Sequence, residues 1–161
     1  NPLWPQLAND HLLASLIADL EHLPPHVLRA FVRAKQPQRV ILVSDCVHLA
    51  GLKPGAYDLG GIPVELKPSG RICLSGTEYL GGSSLMLLQG VVNAMRVTDL
   101  TLRQALACAS SIPARLFGLK HPFRLPKPGT KANFVAFTIT KSHEKWKTNL
   151  KAVFIDGEQR A

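Results

Sequence analysis

The chain has 161 residues, 46% of them hydrophobic and 19% charged, which is enough apolar material for one core and excludes a disordered chain. No apolar stretch is long enough to span a bilayer and no basic-then-apolar leader opens the chain, so a membrane role is not expected. The net charge of +8 does not carry a nucleic-acid reading, because Lys and Arg are spread along the chain and the 6% of aromatic residues are not interleaved with them as a stacking platform requires.

A basic surface also suits an enzyme that attracts phosphorylated or carboxylated substrates. The sequence opens on Asn1-Pro2 without a Met, and is read as part of a longer protein. Residues 7 to 17 form a short amphipathic or buried segment in which Leu16 and Ile17 lead to Asp19. Pro24-Pro25 then opens a helix, since a proline in the first turn lacks only an N–H that has no partner there. Val27, Leu28, Phe31 and Val32 fall at helical spacing, with Arg29, Arg33 and Lys35 expected to face out. Gln36-Pro37-Gln38 breaks the helix, and VILVSD follows as an apolar run without alternation, the pattern of a strand buried on both faces of a parallel sheet.

Residues 56 to 74 change character: Gly, Pro and short alternating segments predict hairpins. Helical periodicity returns from about Ser83 to Met95, with Leu85, Leu88, Val91 and Val92 on one side, and again from about Leu102 to Phe117. The last third is β-like, with Asp156-Gly157 as a turn. Cys46, Cys73 and Cys108 make an odd count without CxxC spacing, so no disulfide framework or zinc ribbon is signalled, and free thiols fit a reducing compartment such as the cytoplasm.

Three stretches are able to carry chemistry. In RVILVSDCVHLAG the apolar run ends on Asp45. A strand-terminating Asp is the common reading. In a β/α barrel, however, the carboxyl ends of the strands converge on the active site, where an acid near a divalent ion moves a proton between water and a leaving amine. In IADLEHLPP, His22 stands where it can polarise a carbonyl or bind metal, or is simply a loop histidine. His26 and His48 match no metal-binding spacing. In GTEYLGGSSLMLLQG, Gly81 and Gly82 let backbone approach a ligand closely, while Ser83-Ser84 read as a cap for the following helix that leaves N–H groups for an anion or carbonyl. Walker, GxGxxG and GxSxG patterns are absent.

Taken in order, SLIADLEHLPP, RVILVSDCVHLAG, GGIPVELKPSGRICLSGTEYLGGSSLML, ALACASSIPARLFGL, LPKPGTKANFVAFTI and AVFIDGEQ resemble the amidohydrolase family, in particular its N-acetylglucosamine-6-phosphate deacetylases. The resemblance implies an α/β fold: the C-terminal portion of a TIM-like (β/α) barrel, over residues 1–120 with a β insertion at about 56–74, plus part of a small β-sandwich over 121–161. It implies a metal-dependent hydrolase that removes acetate from N-acetylglucosamine 6-phosphate in the cytoplasm. Asp45 takes the place of the family's catalytic aspartate, and His22 that of the histidine steadying the acetyl carbonyl. Leu80, Gly81 and Gly82 match the loop whose backbone contacts the sugar. The divalent metal (zinc or similar) is expected to take its ligands mainly upstream, with none from this chain, and the isolated chain is expected to be inactive. The partner is a small amino-sugar phosphate rather than nucleic acid or membrane, and the family often forms homodimers. An opened barrel is further expected to leave a parallel edge and an apolar flank that make the isolated chain oligomeric or poorly soluble. Three positions depart from the family pattern. Leu20 replaces the glycine of ADGxH, which puts the substrate in question, whereas Ile112 in place of the Asn of NPA and Asn133 in place of an acid concern packing. A related amidohydrolase acting on another amide, or an inactive truncated fragment, are the alternatives.

Overall fold

The computed structural model describes residues 1–119, 128–129, 131–143 and 145–161. The expected boundary between 120 and 121, and the LPK that opens one of the matched stretches, lie outside the described residues. The first unit runs α1 (Leu3–Ala8), β1 (Ala14–Ile17), α2 (Pro25–Lys35) and β2 (Val40–Val43). β1 and β2 pair in parallel, Ala14 opposite Val40 through Ile17 opposite Val43, with α2 as the crossover. The apolar run VILV is therefore a strand, and its first three residues are buried.

α2 buries Leu28 and Val32 against Leu16, Val40, Ile41 and Leu42, and this core continues into Val91, Ala94, Val97, Ala105, Cys108 and Ile112. Lys35, expected to face out, is 2% exposed. Its ammonium donates to the carbonyls of Gln6 (2.6 Å), Asn9 (2.7 Å) and Leu12 (3.0 Å), which use all three of its hydrogens and tie the chain before β1 to the end of α2. Helical spacing is blind to this, because the partners are backbone oxygens of another segment.

The β insertion is an antiparallel sheet of β3 (Gly55–Leu59), β4 (Ile62–Leu66) and β5 (Ile72–Leu74). Gly60 and Gly61, at φ of 64° and 88°, supply the two positive-φ residues of the β3–β4 turn. A second small core of Leu49, Val64, Leu66 and Ile72 holds this sheet to the loop after β2.

α3 (Leu87–Val97) starts four residues later than Ser83. Neither serine caps it: Ser83 Oγ accepts from Leu85 N (3.1 Å), and Ser84 Oγ donates to the Gly70 carbonyl (2.6 Å). The single helix expected over 102–117 is two, α4 (Leu102–Ala109) and α5 (Ser111–Leu116). Pro113 has no N–H to give the Ala109 carbonyl, and Ser110 leaves helical geometry between them (φ −141°, ψ −80°). α4 begins in a capping box: Gln104 N donates to Thr101 Oγ1 (3.3 Å) and Thr101 N to Gln104 Oε1 (2.9 Å).

β6 (Phe134–Ser142), β7 (Lys145–Ile155) and β8 (Glu158–Gln159) form an antiparallel sheet, and Asp156 and Gly157 make the β7–β8 turn at φ of 52° and 91°. Asn133 holds that turn, accepting from Asp156 N (2.8 Å) and donating to Asp156 Oδ1 (3.2 Å). An acid at position 133 would set two carboxylates against each other here; the amide makes the pair attractive. Among the described residues, no helix is long and apolar enough to cross a membrane.

Candidate active site

The three stretches singled out in the sequence meet at the carboxyl ends of β1 and β2. After Val43, Ser44 turns the chain, and Asp45 adopts a left-handed backbone (φ 52°) that Asp accepts more readily than most residues. The acid thus lies beyond the strand, its side chain half-exposed at 48%. The Gly81-Gly82-Ser83 segment runs alongside. Ser83 N donates to the Asp45 carbonyl (3.0 Å), and Val47 N donates to the Ser83 carbonyl (2.9 Å), a parallel bridge that fixes the loop against the acid.

Only glycine fits this crossing. Gly82 has φ +107°, and a Cβ there would come within 2.7 Å of Val47 Cγ1. Gly81 N donates to the Ile72 carbonyl (3.0 Å), and Leu80 bridges Cys73, so the loop extends the β3–β5 sheet instead of opening a helix. The N–H groups of Gly81 and Ser83 are therefore bound within the protein, which corrects the expectation of a free helix entry. Leu80, Gly82, Ser83 and Ser84 line a cleft of about 90 Å³ with Asp19, Glu21 and Arg71.

His22 faces Asp45 across the mouth: its Nε2 is 3.9 Å from Asp45 Oδ2. Its Nδ1 is 2.7 Å from Oδ2 of Asp19, a carboxylate only 7% exposed. The other Asp19 oxygen accepts from the backbone N–H groups of Glu21 and His22, each at 3.0 Å. Burial pushes the Asp19 carboxyl up, but these two N–H groups and the His22 ring outweigh it and hold it below its ordinary value. Leu20 lies inside this turn at φ 70°, a left-handed position that costs a non-glycine residue about 1–2 kcal/mol. Its side chain packs on the main core, which returns part of that cost. Leu20 thus occupies the glycine-like geometry without dislodging His22 from Asp45. His26 is elsewhere, lining a groove between α1 and α2, and His48 is exposed.

Sequence reasoning placed Asp45, His22, Leu80, Gly81 and Gly82 in one region, and the structure assembles them. It missed Asp19 as a site residue; the signal was the three-residue spacing of Asp and His around one tight turn. It also missed Asn93, 9% exposed, whose Nδ2 donates to the Ala18 carbonyl (3.0 Å) and steadies the backbone just before Asp19.

The model of the Amidohydrolase family matches residues 14–160. The chain belongs to the amidohydrolase family. The N-acetylglucosamine-6-phosphate deacetylase of Vibrio furnissii is 30% identical over 148 residues, covering 92% of this chain and 36% of the relative. Its namesake in Mus musculus is 34% identical over 155 residues, covering 95% of this chain and 36% of that protein. The crystal structure of N-acetylglucosamine-6-phosphate deacetylase from Thermotoga maritima superposes with a TM-score of 0.78 at 25% identity, over 96% of this chain and 40% of that one. The chain thus spans about a third of the length of these two curated relatives. The deacetylase fold is a TIM-like barrel joined to a β-sandwich, and this chain carries part of it.

The amidohydrolase family is generally metal-dependent. Among the described residues, no three His, Cys, Asp or Glu side chains converge on one point. His22 has Nδ1 engaged by Asp19, which leaves Nε2 for a ligand or substrate.

Proposed function

We propose that this chain supplies the proton-handling side of a deacetylase acting on N-acetylglucosamine 6-phosphate, in cytoplasmic amino-sugar catabolism. The observation that carries the reading is the apposition of His22 and Asp45, 3.9 Å apart, over a Gly82–Ser83 backbone bonded to Asp45 itself. Relatives at 30–34% identity bear the name of that activity.

Asp45 accepts a proton from the attacking water as its oxygen bonds to the acetyl carbon. It returns that proton to the sugar nitrogen as the C–N bond breaks, giving acetate and the free amine. An exposed carboxylate beyond a strand end is free to reach both atoms. His22 presents Nε2 to the acetamide, donating to its carbonyl when both ring nitrogens carry hydrogen, and the backbone at Leu80, Gly81 and Gly82 lies against the sugar. A divalent metal such as zinc, when bound, lowers the pKa of a water and polarises the carbonyl. Its ligands would come from the part of the relatives' length that this chain does not span. Strands β6–β8 are the sandwich portion of this reading.

Turnover of N-acetylglucosamine 6-phosphate by the complete enzyme tests it, with Asp45→Asn alongside. Robust deacetylation that falls by at least about 10²-fold in the variant supports the role of Asp45, a size typical of lost acid–base catalysis. Turnover unchanged in the variant removes Asp45 from the chemistry. No turnover in either, with the protein folded and metal-loaded, points to another amide substrate.

A further inference from the structure

The histidine at the site is held from behind. Asp19 is nearly enclosed, and each of its oxygens has a fixed duty: Oδ1 takes the Glu21 and His22 N–H groups, leaving Oδ2 for the imidazole at 2.7 Å. Asn93 and the core-packed Leu20 fix the backbone on either side of the acid. An ionised carboxylate has no hydrogen to give, so the ring hydrogen in this contact belongs to His22 Nδ1. The opposite nitrogen, Nε2, is the one directed at Asp45.

We propose that Asp19 is a positioning residue: it pins the His22 ring hydrogen to Nδ1 and so fixes Nε2 as the nitrogen offered to substrate and to Asp45. The neutral ring then presents a lone pair at Nε2, ready to accept from water or from a donor on the substrate. Donation from Nε2 to a carbonyl takes a second ring hydrogen. The ring's orientation and tautomer are both set by a nearly enclosed carboxylate behind it.

This deepens the functional reading above and rests on it only for what lies opposite Nε2; the tautomer itself is independent of any substrate. Imidazole nitrogen–proton correlation spectra of the complete enzyme read it directly, the His22 signals being assigned by their loss in His22→Gln. The expected parent spectrum places hydrogen on Nδ1. In Asp19→Asn, the amide oxygen still accepts the two backbone N–H groups, but its NH₂ now faces the ring. The hydrogen is expected to move to Nε2, since the same exchange behind other histidines yields the wrong tautomer. A role for Asp19 confined to closing the turn leaves the ring hydrogen on Nδ1 in the Asn variant, and that result overturns the proposal. If Asp19→Asn does not fold, the parent decides: a His22 with a bare Nδ1, or with an Nδ1 hydrogen that exchanges with water as freely as that of the exposed His48, overturns it, and a downfield, exchange-protected Nδ1 hydrogen held in the 2.7 Å contact upholds it. A complete enzyme that turns over no N-acetylglucosamine 6-phosphate, yet carries hydrogen on His22 Nδ1 and loses it there in Asp19→Asn, removes the functional reading and leaves this proposal standing.

Discussion

The region up to Leu119 and the sheet β6–β8 are built on opposite terms. The first encloses its apolar residues: Leu28, Val40 and Val92 have no exposed surface, and Leu42 only 2%. The second has an equally apolar sequence, yet none of its described residues is buried, and Phe134, Val135, Leu150 and Ile155 are between 38% and 51% exposed. Stacking of Phe134 on Phe154, 4.6 Å between ring centres, holds it together laterally. A layered core makes a site rigid, whereas a single sheet keeps its register through hydrogen bonds and cross-strand pairs such as this one. The residues that face one another at the site are all carried by the first region.

The sharpest way to break this comparison is truncation in each half. Leu42→Ala is expected to cost about 2–5 kcal/mol in denaturant unfolding of the chain, the range for emptying a packed core, and Phe137→Ala about 1 kcal/mol or less. Equal losses would mean that the sheet is as enclosed as the first region. Next comes Gly82→Ala, expected to cost about 1–3 kcal/mol for the positive-φ strain, with the contact to Val47 adding to it. Its sign is checked in the same unfolding experiment, and a neutral result would show that the loop is free to move off Val47. Lys35→Met keeps most of the buried stem but leaves three carbonyls without their donor, for an expected cost of about 1–3 kcal/mol.

The smallest effect is one of pH. Asp19 has a folded-state pKa held below its ordinary value of 3.8, so the unfolded chain binds a proton first as acid is added. Its contribution is complete above about pH 5 and is lost as pH falls through the folded value. Asp19→Asn should flatten that part of the stability profile. An unchanged acid limb would show that the carboxylate gains nothing from its three donors.

Much of this was legible in the residues. VILV reads as a buried strand because nothing polar interrupts it, and Asp156-Gly157 announces a turn because few other pairs accept its backbone. Asp45 and His22 were singled out through the order of the motifs around them, and the fold sets them 3.9 Å apart. What escaped was whatever depends on a distant backbone atom. Lys35 looks outward by periodicity and turns inward because three carbonyls wait there. Ser83 and Ser84 look like a helix cap until Asp45 and Gly70 claim them. Asp19 looks like the end of a strand, and its work is visible only once the turn has closed over it.

Among the described residues, a row of amides joins the two regions. Gln89 Oε1 accepts from Thr148 N (3.1 Å), while its Nε2 donates to the Trp146 carbonyl (3.1 Å) and to Asn93 Oδ1 (3.3 Å). Asn93 in turn donates to Ala18, one residue before Asp19. An amide has a donor end and an acceptor end, so the orientation of the first dictates that of the second. The sheet therefore sends a polarity, as a row of dominoes does, through α3 to the backbone beneath the site. Sliding β7 by one residue would present a carbonyl where Gln89 needs an N–H, and the reversal would run on to Asn93. The uncovered sheet thus acts as a key whose register is read two side chains away.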